Sequence, residues 1–191
     1  VDSSFFDNDS LVPGLINSYP EKLAGTDTIK ERIMRYAEDI QDSSPRTIVK
    51  TLLYKQGQDS LIDMISALEN LYKNGDLDVP SRLRGVVVIG DIPLPVVNKS
   101  GNRFISMFPL TDFDDKAYIF NQQTSSFDFN SDVSMPKPEI WHGVIRAPQL
   151  DDNWAVSNNE LNKIAEFFDK NHLYREDVPE YSKFQRKLFF A

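Results

Sequence analysis

The chain has 191 residues, 40% of them hydrophobic and 26% charged, a composition that supports one ordinary hydrophobic core and does not read as disordered. Its 29 acidic against 21 basic side chains leave a formal net charge of −8. That balance excludes a nucleic-acid surface, and the absence of a long apolar run excludes membrane insertion by this segment.

Residues 1–27 carry Pro13, Gly14, Pro20 and Gly25 without a sustained period, so they read as an irregular lead-in with room for one short strand. Residues 1–20 lack a basic start followed by an apolar core and so do not read as a signal, and a chain that begins at Val1 rather than Met reads as processed, trimmed or cut out of something larger. From Thr28, with Glu31 as its capping-box partner, Ile29, Ile33, Tyr36, Ala37 and Ile40 recur at helical spacing. Ser43-Ser44-Pro45 stops that helix, and Thr47–Tyr54 (TIVKTLLY) has the β-branched, large apolar content of a strand. A second helix follows from about Asp59, capped by Asp59 or Ser60, with Leu61, Ile65, Leu68 and Tyr72 as its apolar stripe and Gly75 as its stop.

The next run, Val86–Ile89, has no polar alternation, which is the pattern of a strand buried on both faces in a parallel sheet. Gly90 turns the chain, and Pro93 and Pro95 cannot donate to a ladder, so the chain leaves the sheet at Asp91. Asp91 therefore stands at the carboxyl end of a strand, where open α/β sheets bind ligands. Short aromatic runs at 103–108 and 116–121 and a polar segment, 121–132, read as an excursion from the core. Glu139–Arg146 (EIWHGVIR) returns as a strand, a long helix begins near Ser157 with Glu160 as capping partner, and 188–191 (LFFA) reads as the start of a further strand. Helices alternating with strands at these spacings predict an α/β fold with a mainly parallel sheet and helices on both faces, in one domain over residues 28–191.

Two acidic segments carry candidate metal chemistry. DFNSDVSMPKPE places Asp128, Asn130, Asp132 and Glu139 at the ligand spacing of an EF-hand loop, although Val133 stands where a sharp turn wants glycine and Pro136 and Pro138 occupy the entry to a second helix. It reads either as a looser oxygen-donor calcium loop or as a polar surface loop. TDFDD crowds Asp112, Asp114 and Asp115 around Phe113, which suits either a divalent cation or a solvated turn. The ligand candidates are Asp112, Asp114, Asp128, Asn130, Asp132 and Glu139, with calcium as the cofactor. His142 and His172 have no accompanying serine or cysteine motif and read as packed or edge residues. The chain has no GxGxxG and no GxxxxGK[ST], so it carries no phosphate cradle of those types.

VVVIGDIPLPVV at 86–97, PLTDFDDKAYIF at 109–120, and PEIWHGVIRAP at 138–148 followed by a helix ending FFDKNHLYRE resemble, in that order, the front half of gingipain-type cysteine peptidase domains. In that family a strand ending in Gly-Asp, a Ser/Thr-Asp segment and a strand reading Gly-Arg-Ile precede a long helix. Here Gly143-Val144-Ile145-Arg146 displaces the arginine. The resemblance implies a caspase-like α/β fold in a secreted or surface-attached, calcium-stabilised protein. The family's catalytic His-Gly and Cys motifs lie downstream of the matched segment, and this chain has no cysteine. The expected function is therefore that of an amino-terminal, non-catalytic part of such a domain, extracellular or in the cell envelope. Its partners would be the remainder of the parent polypeptide and a polypeptide substrate or surface protein. The alternatives are a non-catalytic adhesion or assembly module with this fold, and a cytosolic α/β enzyme fragment with a small-molecule site at Asp91.

Overall fold

The apolar run at 85–89 becomes strand β1 (Gly85–Ile89), which pairs in parallel with a strand more than fifty residues later, here numbered β6 (Trp141–Ile145), in the register Gly85↔Trp141 to Ile89↔Ile145. The computed structural model describes residues 1, 4–7, 27–44, 46–55, 60–75, 82–133, 137–146 and 158–176. The chain divides into two compact units, one of Val1 with Tyr54–Ile145 and the other of Asp2–Leu53 with Arg146–Ala191.

In the first unit, helix α3 (Leu61–Asn74) begins where the sequence says it should. Ser60 accepts the Asp63 N–H through its hydroxyl and Asp63 accepts the Ser60 N–H, a complete capping box. Leu68 of α3 packs in one cluster with Tyr54, Val88, Ile92, Leu110, Phe113 and Ile140, so this core is assembled from the helix, β1 and the turns beyond it. Gly85 is required by its partner strand, since a Cβ there would lie 2.0 Å from the Trp141 indole. Gly90 adopts φ of 94°, a left-handed value that favours glycine, and its N–H donates to the Ile145 carbonyl before the chain leaves the sheet.

The segment expected to be an excursion is a sheet in its own right. It holds β2 (Val96–Lys99), β3 (Asn102–Ile105), β4 (Tyr118–Asn121) and β5 (Ser126–Phe129), in the spatial order β3-β2-β5-β4. β2 pairs antiparallel with β3 and parallel with β5, and β4 pairs antiparallel with β5. Cross-strand aromatic pairs hold it: Phe120 opposite Phe127 with centroids 5.1 Å apart, and Tyr118 opposite Phe129 at 5.6 Å. The protein is thus α/β, with one two-stranded parallel sheet and one four-stranded mixed sheet among the described residues, where the sequence led to a single mainly parallel one. Thr47–Leu53 makes no ladder, and Tyr54 alone bridges, donating its N–H to Val1. The expected strand there fails because β propensity supplies no partner backbone.

The second unit contains α1 (Ser4–Asp7), α2 (Ile29–Ser43) and α4 (Asn158–Arg175). α1 is a helical turn where the lead-in had room for a strand. α2 opens with the predicted Thr28–Glu31 box. Ile29 and Ile33 of α2 and Leu161, Ile164, Ala165 and Phe168 of α4 are buried, and the Tyr36 and Phe168 rings meet at 5.2 Å. Inside this apolar surface lies a charge. Asp169, wholly buried, accepts from Arg32 Nε and Arg35 Nη2, each at 2.9 Å. The Ser157 cap and the strand at 188–191 lie outside the described residues.

Replacing Asp169 by Ala strands the buried Arg32 guanidinium, and the loss in urea unfolding should be about 3–5 kcal/mol. The Glu31 carboxyl is held below its ordinary 4.5 chiefly by the hydrogen bond from the Thr28 backbone. A depressed carboxylate stabilises the fold above the unfolded-state value and loses that contribution as pH falls through the folded one. Glu31→Gln should therefore flatten the acid side of the stability profile below about pH 4.5, as read by urea midpoints, with its largest difference from the parent above that pH.

Candidate metal centre

The site grows from a one-turn 3-10 helix, Phe108–Leu110, with proline in its first turn. Its carbonyls take up the following N–H groups: Met107 accepts from Leu110, and Phe108 accepts from Thr111 and Asp112. Asp112 then closes the next bend, its Oδ2 accepting the buried Ala117 N–H at 2.7 Å. From the other side Glu139, just ahead of β6, docks onto the same bend. Its N–H donates to the Thr111 carbonyl at 2.8 Å, and its Oε2 accepts from the Phe113 N–H at 2.6 Å and the Asp114 N–H at 3.4 Å.

This double attachment gathers Asp112, Asp115 and Glu139, each offering one carboxylate oxygen within 4.8 Å of the others. Asp112 is 6% exposed, Asp115 exposed and Glu139 half-buried, so the group runs from the protein interior to solvent. At that spacing two unit negative charges repel by about 3 kcal/mol or more at an effective dielectric of about 20. The backbone N–H groups offset part of this, but Asp112 Oδ1 is buried and has no hydrogen-bond partner. Lys116, beside Asp115 in the chain, places its Nζ 3.1 Å from Glu69 Oε1, and Glu69 is held below its ordinary value by Lys73 first and Lys116 second. All three donors of the cluster are hard oxygens, which fits calcium or magnesium rather than a metal that prefers sulfur or imidazole.

The structure brings together two of the six expected ligands, Asp112 and Glu139, and adds Asp115. Asp114 points elsewhere and accepts the Tyr72 hydroxyl at 2.9 Å, a hydrogen bond that raises the Tyr72 pKa above its ordinary value. Asp128 is held within the four-stranded sheet, Oδ1 accepting from Asn98 at 3.2 Å and Oδ2 from Asn121 at 2.7 Å. Asn130 caps its own turn by accepting the Asp132 N–H, and Asp132 is exposed. The EF-hand spacing is therefore not realised as one ligand set among the described residues, because Asp128 sits on a strand whose ladder fixes its direction. Asp91 is half-buried directly after the Gly90 turn, at the carboxyl end of β1 as expected.

Sequence reasoning set Asp115 aside in favour of Asp114. The signal that could have found it is the spacing of three from Asp112, which in a tight bend returns a side chain to the same side. It also missed a pairing in the second unit, where His172 Nδ1 lies 3.0 Å from both carboxylate oxygens of Asp39 and Glu176 completes a second group of possible ligands. His142 is exposed on β6. No protein-family model, curated protein or solved structure matches the chain. No described helix is long and apolar enough to cross a membrane.

Asp128 joins two amide side chains from neighbouring strands, so Asp128→Ala should destabilise the protein by about 1–3 kcal/mol through unpaired polar groups. Its effect on the urea midpoint should be the same in calcium and in EDTA, since the loss is one of internal hydrogen bonds.

Proposed function

We propose that this chain is the amino-terminal, non-catalytic part of a gingipain-like cysteine peptidase domain of an extracellular or envelope protein. Its role is architectural. It contributes strands and acidic turns to a mainly parallel, caspase-like sheet with helices on both faces, and the remainder of the parent polypeptide brings the catalytic His and Cys. The observation that carries this reading is the β1–β6 pairing. The two strand motifs behind the resemblance, VVVIGD and EIWHGVIR, lie side by side, parallel and in register, and both run toward the end where Asp91 follows Gly90. Among the described residues β6 exposes Trp141, His142 and Val144, which supports further covering strands or helices beside it, because parallel sheets are stable when buried on both faces. Thiol-mediated acyl transfer needs a thiolate and a neighbouring base, and no cysteine is present here.

One observation favours a second reading, a non-catalytic adhesion or assembly module with the same fold. The two edge strands of the mixed sheet expose apolar side chains, Phe104 and Ile105 on β3 and Ile119 on β4. Exposed edge strands of this kind pair readily with another chain.

Mass spectrometry of the native polypeptide from its source should read, beyond Ala191, a strand-end His-Gly followed by a strand-end Cys. The longer polypeptide should then cleave peptides in a reaction abolished by thiol alkylation. A native polypeptide without that pair, inert toward peptides and self-associating through β3 or β4, would replace the peptidase reading with the assembly one.

A further inference from the structure

We infer that Asp112, Asp115 and Glu139 form a calcium site that clamps the bend at 111–115 to the entry of β6. The inference does not depend on the peptidase reading, because every group it uses lies in this chain. Three carboxylates with one oxygen each inside 4.8 Å match the span of one calcium coordination sphere, whose opposite oxygen ligands stand about 4.6–5.2 Å apart. Asp112 is 6% exposed, has its Oδ2 committed to the Ala117 N–H, and keeps Oδ1 buried without a hydrogen-bond partner. Buried carboxylate oxygens are almost always paired, so an unpaired one on a side chain that groups with two further carboxylates is an opening for a cation.

The remaining oxygens fit the same role. Glu139 binds the bend through Oε2 and its own N–H, and none of the described hydrogen bonds uses Oε1. Asp115 lies on the exposed side, where water completes the six to eight oxygens that calcium takes. Magnesium, which demands near-octahedral ligands at about 2.0–2.1 Å, would require the three side chains to contract around it. Calcium bound here joins segments 26 residues apart in sequence, so its occupancy sets how firmly β6 is seated beside β1. A three-carboxylate site open to solvent belongs with the weaker calcium modules, with Kd of order 10⁻⁴–10⁻³ M.

The test is thermal unfolding and isothermal titration of the whole chain, stripped with EDTA and then titrated with calcium chloride or magnesium chloride. Calcium at a few times the expected Kd, on the order of millimolar, should raise the melting temperature by several degrees and release or take up measurable heat, with magnesium much weaker. Asp115→Ala should lose most of the calcium shift while its melting temperature in EDTA equals or exceeds that of the parent, because the variant removes repulsion and no described hydrogen bond. Asp112→Asn should also lose the shift, but it disturbs a buried bond, so Asp115→Ala decides. No calcium shift in the parent chain, an undiminished shift in Asp115→Ala, or an equal response to magnesium would each overturn the assignment.

Discussion

The first unit depends on the way Glu139 is held. Its N–H and its carboxylate both grip the bend that follows the 3-10 turn, one through the Thr111 carbonyl and the other through the Phe113 N–H. That bend is itself packed into the core by Leu110 and Phe113, which meet Leu68 of α3 and Val88 of β1. Ile140, the next residue, enters the same core, and β6 starts immediately after it. The register of β6 against β1 is thus set before the ladder begins, by the three hydrogen bonds of Glu139 and the buried Ile140 side chain. A parallel pair needs such an anchor, since no hairpin turn is available to set its register.

The crossover between β1 and β6 is unusual in content. Parallel strands are commonly joined by a helix packed on the sheet, and here the connection is a second sheet of four short strands. Pro93 and Pro95 end the first sheet, yet β2 begins at the residue after Pro95, so the prolines separate two sheets rather than a sheet from a loop. The inserted sheet is held by ring pairs between β4 and β5, by the Asn98–Asp128–Asn121 amide bridge and by Lys99 above the Phe129 ring at 4.4 Å. Those are contacts among short strands with few apolar positions each, which explains why they carry little periodic signal.

What was legible in the sequence follows the range of the forces involved. The starts of α2 and α3 could be read because a capping box is closed within four residues, Thr28 with Glu31 and Ser60 with Asp63. β1 could be read because its unbroken apolar run is half-buried or buried throughout, and β6 because its apolar and β-branched content is bounded by prolines, although Trp141, His142 and Val144 are exposed. Thr47–Tyr54 has the same local composition and makes no ladder, because a strand requires a partner backbone that propensity does not name. The metal candidates divide in the same way. TDFDD and Glu139 were visible as acids, but which of the two exposed aspartates, Asp114 or Asp115, groups with Asp112 and Glu139 depends on Tyr72, which takes Asp114 from 42 residues away. His172 and Asp39 are 133 residues apart, and no local pattern joins them.

Two buried aspartates show how this protein treats an interior charge. Asp169 is wholly buried and receives two guanidinium groups, with Arg32 buried alongside it to supply one of them. The cost of desolvation is offset there by full pairing. Asp112 is nearly as buried and receives a single backbone N–H on one oxygen, while Asp115 and Glu139 bring it further negative charge. If the bend needed only that one backbone bond, a neutral side chain of similar size would make it without the repulsion. A carboxylate in that position, with two others converging on it, has a physical rationale when a cation from solvent completes the group. The same fold therefore meets a buried charge with its own arginines in one unit and leaves one oxygen of a buried carboxylate without a hydrogen-bond partner in the other.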